Sequence, residues 1–288
     1  MGYLLLVSVV WAFSFSLIKN QLTGLNPGFV AFVRMALSML FFLPLLRPRA
    51  VTARVAWQLI ALGAIQYGMM YVFYIAAFAH LPAHVVALFT VFTPLFVVLV
   101  DDGWERRWRP KNLLAALIAI AGATCINTAS FHMGNVWRGF LLIQASNLCF
   151  AIGQVWYKRL DLQDSSPTST FGFAYFGGVL VTGGFVLVSK NAIPAAVSFS
   201  QLATLAYLGV VASGLCFYLW NLGARRTSTG VLAVFNNIKI PLGVLVSLVI
   251  FSEQTNLPRL GIAATLMTAA WWLAHHTNKS PKSNVASS

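Results

Sequence analysis

Charged residues are scarce in this chain of 288 residues. Asp, Glu, Lys and Arg make up only 9% of it, against about 25% in soluble domains. Hydrophobic residues account for 59%, and the mean hydropathy is +0.78. A chain of this composition cannot cover its apolar surface with polar side chains in water. The composition therefore excludes an ordinary soluble domain and predicts an all-α integral membrane protein embedded in a lipid bilayer.

Acidic residues are rarer still, because only six occur and all lie in connections or at the ends of apolar runs. Carriers coupled to protons or sodium commonly keep a carboxylate inside the membrane to bind the ion. This scarcity favours facilitated diffusion or exchange, with a relay through lysine or histidine as the alternative. Cysteine is scarce too: the three cysteines are odd in number and lie in apolar runs, which argues against a disulfide framework.

The sequence motifs of common enzymes are missing, since no P-loop, GxSxG, HExxH or dinucleotide fingerprint occurs. His80 and His84 have a helical spacing, but Pro82 lies between them and no third ligand is near. We therefore predict no catalytic residue, no metal and no cofactor. An integral-membrane enzyme acting on lipids is the alternative from another class and would have to use the acidic group at 101–105. A channel is a third option.

Ten apolar runs are each long enough to cross about 30 Å of hydrocarbon. These predicted spans lie at roughly 2–19, 27–46, 55–79, 82–101, 111–128, 138–159, 170–189, 200–224, 228–251 and 257–276. Of the 19 lysines and arginines, thirteen lie in connections on the side of the N-terminus and four on the other side. This bias predicts cytoplasmic termini in a bacterial-type inner (plasma) membrane. It also accounts for the net charge of +13, so no nucleic-acid partner is predicted.

The two halves of the chain are weakly similar. A shift of 147 residues places Tyr71 on Tyr218 and Pro94 on Pro241. Five spans per half is an odd number, so the halves would form inverted repeats that rock about a site between them, with the two prolines as hinges. The predicted units are the first five-helix repeat, the second five-helix repeat and a disordered cytoplasmic tail, at residues 1–130, 136–277 and 278–288.

Three stretches carry a family resemblance. The sequence from Trp11 to Leu46 has a Trp and a Lys in its first helix and an Arg within its second, and it resembles the start of EamA-like proteins of the drug/metabolite transporter superfamily. LPAHVVALFTVFTPLFVVLV followed by WERRW resembles the fourth helix of that family, and TSTGVLAVFNNIKIPLGVLVSLVIFSEQ the same element of the second half. The resemblance implies a ten-helix exporter of amino acids, metabolites or drugs. Its aromatic central helices look similar to the branch that exports aromatic amino acids.

Lys239 lies near the centre of predicted span 9, where a charge costs a few kcal/mol. No carboxylate in the sequence is placed to pair with it at that depth. It could be neutral, reach an aqueous cavity or bind a carboxylate on a substrate; the alternative is a structural lysine held by carbonyls around Pro241. We predict that Lys239 binds substrate. Arg34, about two turns inside span 2, is expected to tie helix ends together or line an outer vestibule.

Aromatic and amide side chains mark the predicted solute path. Tyr67, Tyr71, Tyr74 and Phe78 follow one another at helical spacing and form one face of span 3. That face either lines a path for an aromatic or amphipathic solute or packs between helices, and the amides could equally join helices. The other predicted substrate-binding residues are Asn236 and Asn237 in span 9, Gln144, Asn147, Gln154 and Trp156 in span 6, and Trp11, Phe89 and Tyr218.

Small residues recur at four-residue spacing in spans 5 and 10, which suits close helix packing or a homodimer interface. We expect the cavity to lie between spans 1, 3, 4, 6, 8 and 9. The predicted function is a membrane transporter or exporter of small organic metabolites, acting by alternating access as a facilitator or exchanger. Amino acids, aromatic ones above all, are the favoured substrates. Export of drugs or other metabolites by the same fold is the alternative.

Overall fold

The computed structural model describes the larger part of the chain. The described residues are 2–22, 24–81, 86, 89–126, 136–162, 165–189, 193–228, 230–232, 234–239, 242, 258, 261–262, 265–266, 268–270 and 272. Within these ranges the regular structure is helical and no strand is found. Predicted span 10 and the second half of span 9 fall largely outside them, as does the tail at 278–288, so the count of ten spans stays a prediction.

Eight helices are described along the first 225 residues. They are α1 (Gly2–Gln21), α2 (Pro27–Phe42), α3 (Ala53–Ala76), α4 (Thr93–Glu105), α5 (Pro110–Ile126), α6 (Val136–Arg159), α7 (Pro167–Val188) and α8 (Phe199–Arg225). Each overlaps the predicted span of the same number. Among them α3, α6, α7 and α8, together with the stretch Pro27–Leu45, are long and apolar enough to cross a membrane. Within predicted span 4, residues 86 and 89 are helical, and a 3₁₀ turn at Thr90–Phe92 precedes α4. The rest of 82–88 lies outside the described residues.

Local sequence signals set where several helices begin. The Asn26 side chain accepts hydrogen bonds from the backbone N–H groups of the first turn of α2, and Pro27 occupies the first helical position, where it needs no N–H partner. At the start of α8, Ser198 and Gln201 form a capping box in which each side chain bonds the other residue's backbone N–H. These caps satisfy N–H groups that the helices themselves leave unpaired.

The outer surface of the helices is strongly apolar. Leu187 and Phe199 are each 87% exposed, and Trp57 is 70% exposed near the start of α3. Soluble monomers rarely leave large contiguous apolar patches facing water, whereas lipid chains are the natural neighbours of such side chains. Exposed tryptophans near helix ends, such as Trp57 and Trp137, suit the aromatic belts at membrane interfaces. The surface therefore agrees with a multi-pass membrane protein.

Helices from the first half pack mainly against helices from the second half. Helix α7 packs along α2 and α3, α4 packs along α6, and α1 packs along α8. The crossing of α3 and α7 is especially close, because a Cβ atom at Gly63 would lie 1.7 Å from the carbonyl oxygen of Ala174. A Cβ at Gly177 would lie 2.0 Å from the carbonyl oxygen of Ile60. Only glycine lets these backbones approach so closely.

Helices α3 and α8 each contain a π-helical turn, at Ala64–Met69 and Leu208–Leu215. Such a turn adds a residue to the helix and leaves carbonyl groups that the helix itself pairs poorly. In a membrane these groups need partners from neighbouring helices. Just past the π turn of α3, the carbonyl oxygen of Met70 accepts a hydrogen bond from the Ser146 hydroxyl of α6 at 3.0 Å.

The π turn of α8 is held by side chains from two other helices. Trp11 of α1 donates its indole N–H to the carbonyl oxygen of Ala212 at 2.8 Å. Tyr175 of α7 places its hydroxyl 2.9 Å from the carbonyl oxygen of Ser213 and 2.7 Å from that of Gly214. These bonds fix the unusual turn and with it the position of Ser213, which faces the cavity residues described below.

A cluster of ion pairs joins the end of α4 to the end of α6. Asp101, only 1% exposed, pairs with Arg159 and lies 3.3 Å from Nη1 of Arg109. Glu105 pairs with both of these arginines, with 2.8 Å to Nη2 of Arg159. The acidic group at 101–105 therefore helps to hold two helices together. It is the same group that a lipid-modifying enzyme would have to use for catalysis.

We expect Asp101→Asn to lower the free energy of unfolding by about 3 kcal/mol, because it removes the buried carboxylate of the cluster and leaves Arg109 and Arg159 with Glu105 alone. Glu105→Gln makes the same change at a residue that is 36% exposed, and should cost about 1 kcal/mol or less. Thermal unfolding of the purified protein in detergent measures both. Equal losses of unfolding free energy in the two variants would show that the burial of Asp101 does not contribute to the ion-pair cluster between α4 and α6.

Candidate functional site

A cavity of about 100 Å³ lies among α1, α2, α3, α4, α6, α8 and the helical residues 234–239. That volume is several times what a single ordered water needs. Its walls are lined by Trp11, Ser14, Ile18, Arg34, Met70, Tyr71, Tyr74, Thr90, Thr93, Ser146, Asn147, Phe150, Phe217, Asn236 and Lys239. Helices from both halves thus contribute to one site, which has a mixed apolar and polar wall.

Lys239 is buried in this wall, with 9% of its surface exposed. Its Nζ atom donates to Oδ1 of Asn236 at 3.2 Å and lies 5.6 Å from the centre of the Trp11 ring. An ammonium group has three donors, and in the part of the chain that is described this is its one hydrogen bond. The Nδ2 atom of Asn236 is buried and unpaired there as well. Lys239 and Asn236 therefore offer unused donors side by side.

Arg34 is the second cation at the cavity and is only 4% exposed. Its Nε atom donates to the Ser213 hydroxyl at 3.1 Å, and its guanidinium carbon lies 4.6 Å from the centre of the Tyr71 ring. The Tyr71 hydroxyl shares the same serine, at 3.1 Å. Arg34 is thus fixed between α3 and α8 by a hydrogen bond and a cation–π contact. It also lines the cavity.

The electrostatics of the site follow from these two side chains. Among the described residues that line the cavity there are two cations and no Asp or Glu. Within the described ranges, neither Lys239 nor Arg34 has a carboxylate within ion-pair distance. In surroundings of low polarity, uncompensated positive charge favours an anionic guest. The arrangement suits the carboxylate of a small solute.

Asn147 lies at the cavity, but its polar atoms are already paired within the protein. Its Nδ2 atom donates to the carbonyl oxygen of Phe89 at 2.9 Å and to Oε1 of Gln144 at 3.1 Å. Its Oδ1 atom lies 2.9 Å from the hydroxyl of Thr93. These bonds connect α6 to the start of α4. Asn147, Gln144 and Phe89 therefore shape the wall more than they offer bonds to a guest.

The tyrosine stripe of span 3 is divided between two environments. Tyr71 and Tyr74 line the cavity. Tyr67, one turn nearer the start of α3, does not line the cavity and is fully buried. Its hydroxyl accepts a hydrogen bond from Nδ2 of Asn221 at 2.7 Å, and its ring stacks on Tyr175. The π turn at Ala64–Met69 explains the division, because its extra residue changes the register of the helix face between Tyr67 and Tyr71.

Several other predicted residues lie away from the cavity. Gln154 accepts a hydrogen bond from the Trp220 indole at 2.6 Å, and Asn237 donates to the carbonyl oxygen of Val91 at 3.0 Å. Trp156 is half-buried against the main core, and Tyr218 packs on Phe42 and Phe171.

The structure describes only one of the two predicted hinge prolines. Pro94 lies in the first turn of α4, where the missing N–H of proline is tolerated. The side chain of Phe78 and the whole of Pro241 lie outside the described residues.

Sequence reasoning gave Arg34 no part in binding and omitted the cavity residues Ser14, Ser146, Thr93 and Phe217. The position of a charged residue inside a predicted span was the sequence feature that could have indicated a binding role for Arg34. Small hydroxyl residues and phenylalanines are too common in membrane helices to give any signal from one sequence.

The cavity and the fold can be compared with known proteins. The sequence model of the EamA-like transporter family matches residues 1–128 and again 137–275. A solved crystal structure superposes with a TM-score of 0.76 at 19% sequence identity, covering 96% of both chains. At that identity the superposition shows a shared fold.

Two curated relatives match over almost their whole length and a third over about three quarters of it. A Pseudomonas aeruginosa protein named "Probable biotin transporter" is 38% identical over 95% of this chain and 96% of its own. The "Biotin transporter" of Escherichia coli K12 is 35% identical, with 99% and 95% covered, and the inner membrane transporter YedA of the same strain is 25% identical, with 76% and 73% covered. These matches identify a transporter and not an enzyme. The chain belongs to the EamA-like transporter family and is a multi-pass inner-membrane transporter of a small metabolite.

Proposed function

We propose that this transporter carries biotin or a closely related monocarboxylate. The observation that carries the proposal is the buried ammonium of Lys239 beside the unpaired Nδ2 atom of Asn236, in a cavity whose described lining includes no carboxylate. The names of the relatives at 35–38% identity support the same solute. A carboxylate oxygen accepts well from both an ammonium and an amide N–H.

The apolar part of the wall suits the rest of such a solute. Trp11, Phe150 and Phe217 form a mutually packed aromatic group at the cavity, with ring centres 5.2 Å apart for Trp11 and Phe217. Aliphatic chains and sulfur-containing rings pack favourably on aromatic faces. The carboxylate would then sit at Lys239 and the less polar body against these rings.

The charge of the cavity separates biotin from the amino acids that the sequence favoured. A zwitterionic amino acid brings an ammonium group as well as a carboxylate. That ammonium would enter a site that already holds Arg34 and Lys239 and whose described lining has no acidic residue to receive it. Like charges at close range in low dielectric are costly. Aromatic amino acids fit the rings but not the charges, so we place a simple monocarboxylate ahead of them.

Two inverted repeats that alternate access to one site remain part of the proposal. The family model matches once in each half, and the two π turns support the same symmetry. A shift of 147 residues carries 64–69 onto 211–216, which overlaps Leu208–Leu215. The predicted cytoplasmic termini, the hinge prolines, facilitated diffusion or exchange, and a homodimer through spans 5 and 10 are also kept as proposals.

The test of the solute is uptake by whole cells that lack their own biotin transport and express this chain. We expect saturable uptake of labelled biotin that unlabelled biotin abolishes. The neutral biotin amide should compete about a hundredfold less well, because it cannot pair with the ammonium of Lys239.

Competitors identify the solute class in the same cells. Phenylalanine and tryptophan are expected to leave biotin uptake unchanged at concentrations where biotin blocks it. Strong inhibition by either amino acid, together with weak inhibition by biotin, would return the assignment to the aromatic amino acids. Empty-vector cells supply the background rate.

A further inference from the structure

A layer of buried polar side chains lies next to the cavity, about one helical turn closer to the start of α3 and to the ends of α6 and α8. It consists of Gln66 and Tyr67 in α3, Gln154 in α6, and Trp220 and Asn221 in α8, and each member is at most 1% exposed. Gln154 lies close to the end of α6 at Arg159 and Asn221 close to the end of α8 at Arg225, so the layer lies toward the ends of these two helices. This polar layer therefore continues the axis of the cavity.

The hydrogen bonds of the polar layer are incomplete. Asn221 donates from Nδ2 to the Tyr67 hydroxyl at 2.7 Å and accepts a long bond of 3.4 Å from Nε2 of Gln66. Trp220 donates to Oε1 of Gln154 at 2.6 Å. Among the residues that the structure describes, the buried Oε1 atom of Gln66 and the buried Nε2 atom of Gln154 have no hydrogen-bond partner. One acceptor and one donor are thus left unused.

The layer is tightly closed in this conformation. A Cβ atom at Gly153 would lie 2.2 Å from Cβ of Gln66, so α3 and α6 touch here through a glycine. On the side of the layer that faces the cavity, the ring of Trp220 packs on the rings of Trp11 and Phe150, with ring centres 5.1 Å and 6.4 Å away. A solute in the cavity therefore cannot pass in this direction unless the helices separate.

Unpaired polar atoms at such a depth need a reason. Each costs about 1–3 kcal/mol relative to a paired one, whereas apolar residues of the same shape would avoid that cost. The helices that carry the layer come from both halves, with α3 in the first and α6 and α8 in the second. Motion between the halves would separate those helices and expose the amides to water and solute.

We infer that the polar layer is the closed half of the solute path, and that it forms a second station for the solute when the halves move. The inference rests on the proposed alternating access. An unused carbonyl oxygen and an unused amide N–H complement an uncharged group that has both N–H and C=O, such as an amide or a urea. The cavity would thus hold the carboxylate, and the polar layer would pair with a neutral amide-like group during passage.

Thiol modification tests whether the layer opens. In a chain whose three native cysteines are replaced by alanine, Gln66→Cys or Gln154→Cys is introduced, and Val155→Cys is the control at an equally buried apolar position. A membrane-impermeant thiol reagent is added to vesicles from the side on which α6 and α8 end. We expect the cysteines at 66 and 154 to react at least about tenfold faster than the one at 155, through the minor open state.

A second variant separates transport from folding. Gln66→Met removes an unpaired acceptor but also takes the long 3.4 Å donor from Oδ1 of Asn221, so the two effects should largely offset and the unfolding temperature should change little. Uptake should fall about tenfold, the equivalent of one lost hydrogen bond to the solute. Gln58→Met, the same change about two turns earlier in α3, should leave uptake unchanged.

Equal protection of positions 66, 154 and 155 from both sides would overturn the inference. So would Gln66→Met that lowers stability and transport together, since the layer would then be structural. Thiol modification needs no solute, whereas an error in the proposed substrate would appear in the biotin uptake of the unmodified chain. The two proposals can therefore fail separately.

Discussion

Lys239→Met is expected to raise the KM for biotin about a hundredfold while the protein still folds and reaches the membrane. Lys239 lies buried beside Asn236 and Trp11 without a carboxylate partner in the described residues. Removing one member of a buried ion pair costs about 3 kcal/mol, and each 1.4 kcal/mol is about tenfold in affinity. Methionine keeps the length and apolar stem of the side chain, so the packing against Trp11 changes little.

Two further variants and one substrate analogue test whether the rise in KM comes from the lost charge of Lys239. Lys111→Met makes the same change at an exposed position of α5 away from the cavity and should leave the KM unchanged. Lys239→Arg keeps the charge and should lose about tenfold or less, because the guanidinium has a different shape. The Lys239→Met variant should also lose the parent's preference for biotin over the biotin amide. If Lys239→Met carries biotin as well as the parent does, Lys239 is not the carboxylate anchor.

Gly177→Ala is expected to destabilise the protein by about 3 kcal/mol or more, because a single methyl group cannot be placed at the crossing of α3 and α7. Its Cβ atom would lie 2.0 Å from the carbonyl oxygen of Ile60 and 2.8 Å from the backbone nitrogen of Ala64, and neither is a side chain that can turn away. The helices would have to move apart at the start of the π turn. Thermal unfolding in detergent measures the loss.

The matched control is Gly184→Ala, two turns further along α7. A Cβ atom at that exposed position meets no described atom within 4 Å. Alanine is also the better helix former, so this variant should be as stable as the parent or slightly more so. If both glycines tolerated alanine equally, the close approach of α3 and α7 would not limit stability.

Much of the fold follows from composition and charge placement alone. Long apolar runs need only length to predict a membrane span, and seven of the ten runs coincide with described helices within a few residues. An eighth, predicted span 4, contains a 3₁₀ turn at Thr90–Phe92 that the sequence did not indicate, and α4 begins after it at Thr93. Pro94 lies in the first turn of α4, where proline is tolerated.

The π turns could not be predicted from this sequence. Nothing in residues 64–69 or 208–215 breaks an ordinary α-helical pattern. The turns depend on bonds from distant residues such as Trp11 and Ser146, which reach the carbonyl groups only in the folded protein. As a result, the tyrosine stripe was predicted as one continuous face and is divided between the cavity and the polar layer.

The candidate site was predictable where a residue type is costly in a membrane. Lys239 stood out for that reason, and Asn236 is close to it in sequence. Arg34 was expected near an outer interface because helical rise gives depth but not partners, and its bonds to Ser213 and Tyr71 come from distant helices. The amides were ambiguous for the same reason: Asn147 is paired within the protein, while Asn236 keeps an unused donor.

The substrate preference shows a second limit. Aromatic side chains favoured aromatic amino acids, but the residues that reject an additional positive charge become visible only when the cavity lining is known. The lining, as far as the chain is described, contains Arg34 and Lys239 and no acidic residue, which agrees better with a monocarboxylate. A residue count along the sequence cannot supply this information, because it does not show which charges share one cavity.

Counterflow in proteoliposomes tests the central claim most directly. Vesicles containing the purified protein are loaded with unlabelled biotin, and entry of labelled biotin is followed without any imposed ion gradient. We predict rapid, saturable entry that requires the biotin inside and is lost in Lys239→Met vesicles. Entry that is the same in loaded and empty vesicles, or in parent and Lys239→Met vesicles, would contradict a biotin carrier anchored at this cavity.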